Sequence, residues 1–291
     1  MSRRTLAAIA AIAVAALLAA AFGLHGILTR DRSLSNILGS GTIRIGYAVE
    51  APYAFLLPGG QVTGQSPELA KRIAAKLGIG RIEWRVADFG ALITELEEGR
   101  IDVIAAGMFI TPGRAKRINF SEPIFHVAQG LLVTKGNPHK LTAYTDALAD
   151  SGVRMAALTG SVEADILRRI GLPESQMILV PDALTGRVAV ESGVADALAL
   201  SSPTIAWMGE HEQLGKTEKA QPFKQPEEAH TGSAGYGAFA FRKGDKKLLQ
   251  AWNTALKDTM AGTEYQDIMH RFGFARGEYP GTKSTGEILA Q

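Results

Sequence analysis

Two successive rounds of short apolar runs, each alternating with amphipathic segments, constrain this chain more than any other feature. In the first round residues 42–48, 82–86 and 101–106 read as strands. The last is almost purely apolar, as expected of a strand covered on both faces by helices. Between them, residues 67–77 carry Leu69, Ile73, Ala74 and Leu77 on one helical face, with Lys71, Arg72 and Lys76 on the other. Pro67 suits a first helical turn and Gly78 a stop. Residues 91–98 read as a second helix ended by Gly99, and residues 129–135 as a strand broken at Gly136-Asn137-Pro138.

The pattern then begins again. Residues 142–149 read as helical, 153–158 as a strand, 162–170 as a helix, 178–180 as a strand, 184–191 as a helix closed by Gly193, 195–200 as a strand and 203–214 as a helix. Two βαβ sets predict an α/β protein of two parallel-sheet lobes. Residues 216–235 are polar and irregular, 236–242 return to a strand, 246–260 and 264–272 are helical, and 273–291 read as a surface tail. No internal sequence repeat is visible.

The first residues are an address rather than part of the fold. Arg3 and Arg4 precede an uncharged run over 5–24, and Ala19-Ala20-Ala21 offers a small-residue cleavage site. Ser2-Arg3-Arg4-Thr5-Leu6 resembles a twin-arginine export motif. The run stays free of formal charge to Thr29, approaching the roughly 20 residues that span a bilayer. A cleaved signal and a retained anchor over residues 5–29 both stand, and both place the rest of the chain in the periplasm or on the outer face of the membrane. With 31 Lys+Arg against 29 Asp+Glu, the chain lacks the basic excess of a nucleic-acid binder. With no cysteine it has no disulfide, thiolate-metal or thiol chemistry. The six histidines show no metal-ligand spacing.

Ligands of open α/β sheets bind beyond the carboxyl ends of the strands. There the sequence places Glu50-Ala51-Pro52-Tyr53, then Asp88-Phe89-Gly90, then Gly107-Met108-Phe109-Ile110-Thr111-Pro112-Gly113-Arg114. In the second round Thr159-Gly160-Ser161-Val162-Glu163 opens a helix, where backbone N–H groups and a hydroxyl favour an anion.

The stretch from Gly99 to Arg114, with Asn119-Phe120-Ser121-Glu122-Pro123, resembles the signature of family 3 extracellular solute-binding proteins, the ligand-capture subunits of polar amino-acid ABC importers. The resemblance runs from about Ser35 to Phe274. It implies the type II periplasmic-binding-protein fold: two lobes joined by two hinge strands, after a leader over 1–31. It divides the chain into a first lobe over 32–134 and 234–274, a second lobe over 135–233 and a tail over 275–291. It further implies a monomer without cofactor or catalysis that hands its solute to a permease and ATPase.

Within the family, amino-acid binders usually hold the ligand ammonium with an aspartate eight residues after the glycine of a G-x-x-D-A stretch. Here Gly193-Val194-Ala195-Asp196-Ala197 leads to Ser201 instead, while the carboxylate-gripping arginine is present as Arg114. The subgroup that binds ectoine and hydroxyectoine resembles this chain at Tyr47–Tyr53, Asp88-Phe89-Gly90, Ala105–Pro112, Val162-Glu163-Ala164 and Gly235–Phe239. That resemblance implies an aromatic cage of Tyr53, Phe89 and Phe109, beside Gly107. It implies Arg114 on the ligand carboxylate, Glu50 and Glu163 accepting from ring N–H groups, and Thr159, Ser161, Val162 and Ser201 around them. The chemistry is coherent: a delocalised cation suits aromatic faces and a guanidinium fork suits a carboxylate.

Each residue has a plainer reading. Phe89 and Phe109 can be core aromatics, Arg114 and Glu50 solvated loop charges, Glu163 a first-turn helix acid, and Thr159 and Ser161 caps alone. A polar amino acid as ligand, and a cyclohexadienyl-dehydratase-like enzyme on the same fold, stand as alternatives.

Overall fold

In a computed structural model that describes residues 31–211, 214–227 and 235–291, helix α1 (Ser33–Ser40) leads into strand β1 (Thr42–Tyr47). Alternate residues Ile43 and Ile45 of β1 are fully buried and share a core with Leu69 and Ile73. Those two lie on α2 (Gln65–Lys76), which follows a hairpin of β2 (Phe55–Leu56) and β3 (Val62–Thr63). The first lobe continues through β4 (Arg81–Val86), α3 (Leu92–Glu97), β5 (Val103–Ile104), α4 (Pro112–Ala115) and β6 (Ile118–Phe120). Strand β7 (Phe125–His126) comes next, then β8 (Gln129–Thr134), β9 (Met155–Leu158), α5 (Val162–Arg169), β10 (Met177–Val180), α6 (Ala183–Glu191), β11 (Ala197–Ser201), α7 (Ser202–Glu210) and β12 (Thr217–Lys219). The chain ends with β13 (Tyr236–Gly237), β14 (Ala240–Arg242), α8 (Lys246–Met260), α9 (Thr263–Arg271) and α10 (Thr285–Leu289). The apolar run over 5–24 and its cleavage motif lie outside the described residues. Among the described residues no helix is long and apolar enough to cross a membrane.

Ten of the strands form two five-stranded sheets of matching plan, β4-β1-β5-β14-β6 and β10-β9-β11-β8-β12. Each begins as a parallel sheet, as the βαβ pattern requires, but neither is parallel throughout. Strand β14 runs antiparallel to β5 and β6, and β8 antiparallel to β11 and β12. These reversed strands are the ones that have just crossed between lobes, so they enter their sheets from the opposite end. Because β8 belongs to the second sheet, the chain has left the first lobe before Gln129, earlier than the sequence boundary at 134 suggests. The two crossings lie side by side as a ribbon, with His126 opposite Tyr236 and Phe125 opposite Gly237.

The duplication invisible in the sequence is plain in the hydrogen bonds. In the first lobe Arg44 gives its backbone N–H (3.0 Å) and guanidinium to Asp102, and a further guanidinium bond to the Gly99 carbonyl (2.6 Å). In the second lobe Arg154 does the same with Asp196 (2.8 Å) and Gly193 (2.7 Å). The first triad ties β1 to the turn before β5, and the second ties the residue just before β9 to the turn before β11.

Three further expectations change. Residues 236–242 form two strands rather than one, because the Ala238 N–H bonds to the Met108 carbonyl and the Phe239 N–H to Ser121. Residues 142–149 hold a 3-10 turn (Tyr144–Leu148), fixed by Asp146 accepting from Thr142 and Ala143. The tail is not loose surface: Ser284 caps α10, Ile288 is fully buried, and the Thr285 hydroxyl donates to the Ser121 carbonyl.

Candidate functional site

The loop after β1 is pinched by reciprocal backbone bonds between Glu50 and Ala54 (2.8 and 2.9 Å). The pinch turns Glu50 and Tyr53 inward, where they are 8% and 1% exposed. Gly107, after β5, makes room for the Tyr53 ring: a Cβ there would sit 2.6 Å from a ring atom, and its φ of +64° suits glycine. Phe125 of the hinge ribbon stands behind two of the recess aromatics, 5.0 Å from the Tyr53 ring and 5.9 Å from the Phe109 ring. Phe89 sits in a 3-10 turn (Phe89–Ala91), and the Arg114 guanidinium lies 5.3 Å over its face.

Arg114 is held from both lobes. Its guanidinium donates to the Phe109 carbonyl in the first lobe and to the Gly160 carbonyl in the second, each at 2.9 Å. Gly160 belongs to the loop after β9. Ser161 there caps α5, its oxygen accepting from the Ala164 N–H at 3.1 Å, and Glu163 lies buried in the first turn. The end of β11 supplies Ser201, and the first turn of α7 supplies Thr204. Together they extend a buried chain of hydroxyls across the gap: Tyr53 Oη to Ser201 Oγ (3.0 Å), Ser201 Oγ to Thr204 Oγ1 (3.3 Å), and Thr204 Oγ1 donating to Glu50 Oε1 (2.7 Å).

These groups enclose a tight recess of about 20 Å³. Glu50, Tyr53, Phe89, Gly107, Phe109 and Arg114 line it from the first lobe, and Ser161, Val162, Glu163 and Ser201 from the second. Thr159 stands apart: it is exposed, does not line the recess, and its N–H bonds to the Val180 carbonyl. Its carbonyl instead marks the lip, 2.9 Å from where a Cβ on Gly90 of the other lobe would sit. Sequence reasoning missed Leu158 and Leu200, which complete the apolar lining, and Thr204, which holds Glu50. The two leucines lie at the carboxyl ends of predicted strands, the place the sheet rule points to. Thr204 stands three residues after Ser201, at a helix start, where a polar residue reads first as part of a cap.

Enclosure shifts every charge in the site. Burial pushes the Glu50 carboxyl up to about 8, opposed by the Thr204 hydroxyl and reinforced by the like charge of Glu163. Burial likewise raises Glu163 to about 7, against its own backbone N–H, the Arg114 charge and the Ser161 hydroxyl. Desolvation pulls Arg114 down to about 10, opposed by Glu163 and Asp165. A recess with one cation, two acids and aromatic walls suits a small molecule that carries a carboxylate and at least one desolvated positive charge.

Comparison with known proteins gives the family and the fold. The model of bacterial extracellular solute-binding proteins, family 3, matches residues 43–275. A probable amino-acid ABC transporter periplasmic-binding protein of Sinorhizobium fredii is 32% identical over 268 residues, covering 91% of this chain and 87% of that protein. The crystal structure of EhuB with hydroxyectoine superposes with a TM-score of 0.80 at 27% identity, covering 90% of this chain and 100% of the other. An ancestral arginine-binding protein with arginine bound gives 0.71 at 26% identity, covering 80% and 98%.

Proposed function

The chain belongs to the bacterial extracellular solute-binding proteins, family 3, and we propose that it serves an ABC importer by capturing a small cyclic zwitterion of the ectoine class. It would work without catalysis, outside the cytoplasm, passing its solute to a permease driven by an ATPase. The observation that carries the ligand reading is the Tyr53–Ser201 hydrogen bond beside an intact Arg114. Where an amino-acid binder needs an acid to hold a compact ammonium, this recess has two hydroxyls already bonded to each other. A compact ammonium resists desolvation and is held by hydrogen-bonding carboxylates, whereas a flat delocalised cation is stabilised by aromatic faces. Tyr53, Phe89 and Phe109 supply those faces around the recess. Arg114 supplies a planar fork for the ligand carboxylate, and Glu163 the opposite charge for the ring N–H groups.

Closure of the lobes is a hinge motion about the β7–β13 ribbon, driven by contacts that exist only when both lobes touch the ligand. A second reading, a basic amino acid, is favoured by the presence of two buried acids, and the name of the 32% identical relative favours an amino acid without saying which. Calorimetric titration of the purified protein separates them. Ectoine or hydroxyectoine is expected to bind with a Kd of about 1 μM or tighter, about −8 kcal/mol, with arginine and glutamine far weaker. Tight arginine binding with no heat from ectoine would reverse the order.

A further inference from the structure

The charge count of the recess does not match a zwitterion. Arg114 is answered by a ligand carboxylate, which leaves Glu50 and Glu163 facing a single ligand cation. Both acids are almost wholly buried, at 8% and 4% exposure. An unanswered carboxylate in so enclosed a place is costly, and such groups take up a proton instead.

The surroundings of the two acids are unequal. Glu163 lies in the first turn of α5, where the helix favours negative charge, with its own N–H, the Ser161 hydroxyl and Arg114 supporting the ionised form; Asp165, on the same helix but exposed, opposes it. Glu50 has the Thr204 hydroxyl from α7, and the charged group that faces it among the described residues is Glu163, which repels it. The hydroxyl chain has a fixed sense as well. Thr204 donates to Glu50, so it accepts from Ser201, which accepts from Tyr53. Each hydroxyl proton in the chain is spent, and none of the three is left to donate to a second carboxylate oxygen.

We infer that the site takes its zwitterion together with one proton, held on Glu50 as a neutral carboxylic acid, while Glu163 alone balances the ligand cation. This rests on the ligand being a carboxylate-bearing monocation, as proposed above. A neutral Glu50 also gains what the recess otherwise lacks on that side, an O–H donor for the ligand. A dicationic amino acid would need both acids ionised, so its binding expels the proton that a zwitterion keeps.

The test is titration with ectoine from about pH 6 to 9.5, each point in two buffers of different ionisation enthalpy. Between about pH 7, above which free Glu163 is ionised, and about 8, where free Glu50 loses its proton, Kd should be at its flattest, and below that range Kd should rise as pH falls because binding must release the Glu163 proton. Above about pH 8, Kd should rise about tenfold per pH unit and uptake approach one proton per ligand. In Glu50→Gln the slope and the uptake above about pH 8 disappear, whereas Glu163→Gln loses about a hundredfold in affinity above about pH 7, where Glu163 is ionised. Ectoine binding without proton uptake near pH 9 overturns this inference and leaves the ligand reading intact; the parent protein alone decides that point. No ectoine binding at any pH, with arginine binding and releasing a proton near neutrality, overturns both.

Discussion

The hydroxyls of Tyr53 and Ser201 lie 3.0 Å apart, one from each lobe, with no water-exposed surface at either residue beyond 3%. The bond exists only while the lobes are together, so it adds to the closed form and not to the open one. Tyr53→Phe keeps the ring against Gly107 and removes the bond. Leaving Ser201 short of its donor costs about 1–2 kcal/mol, so affinity for every ligand should fall about tenfold, measured by calorimetry. A loss confined to one ligand would instead mean that the phenol touches that ligand directly.

Arg114 is bonded to one carbonyl from each lobe and stacks on Phe89. These contacts fix the direction of its fork. Arg114→Ala should cost about 3 kcal/mol or more in binding, a loss of over a hundredfold. Arg114→Lys should recover little, because a point charge on a flexible stem cannot satisfy both carbonyls and a carboxylate. Wild-type affinity in Arg114→Ala would remove the arginine from the site.

The Arg44–Asp102 triad predicts acid sensitivity in the first lobe. Burial raises the Asp102 carboxyl, but hydrogen bonds from Arg44 and Arg242 outweigh it and hold the group below its usual value. A folded-state pKa lowered in this way contributes stability that is complete above the unfolded value of about 4 and is lost as pH falls through the folded one. Thermal melts between about pH 5 and 2 should show that loss, and Asp102→Asn should flatten it while lowering Tm near neutrality. Asp196→Asn should cost less, because Asp196 answers one guanidinium where Asp102 answers two.

The frame of the fold was legible because its strands and helices are locally consistent. Residues 246–260 are bounded in the structure where the periodicity bounds them, and β1 and β10 differ from expectation by a residue. What escaped was anything set by a partner distant in sequence. Nothing near Gln129 says that β8 pairs with Leu198 and Glu218 rather than with the first sheet. Nothing near Ile288 says that it is buried with Ile118 and Phe120. The site divides the same way. Glu50, Tyr53 and Glu163 stand at strand ends and helix starts that the pattern marks. Thr204 matters only because folding brings it to a residue 154 positions earlier in the chain.

The raised carboxyls of the recess predict a stability profile of opposite sign to that of Asp102. Glu50 and Glu163 titrate near 8 and 7 in the folded protein, against about 4.3 in an unfolded chain. Between those values the folded form binds more protons than the unfolded one, so stability falls as pH rises from about 4.3 through the folded pKa values. Above them the folded protein carries two charged acids whose burial is not repaid until a cation enters. Glu50→Gln and Glu163→Gln should therefore leave the ligand-free Tm unchanged near pH 4 and raise it by several degrees near pH 8.5, where each removes a buried charge. Ligand reverses the order for Glu163: with a saturating cationic solute the wild type gains stability by mass action, and Glu163→Gln gains far less. Scanning calorimetry at both pH values, with and without ectoine, reads all four states. A Glu163→Gln protein stabilised by ectoine as strongly as the wild type would show that the cation is balanced elsewhere.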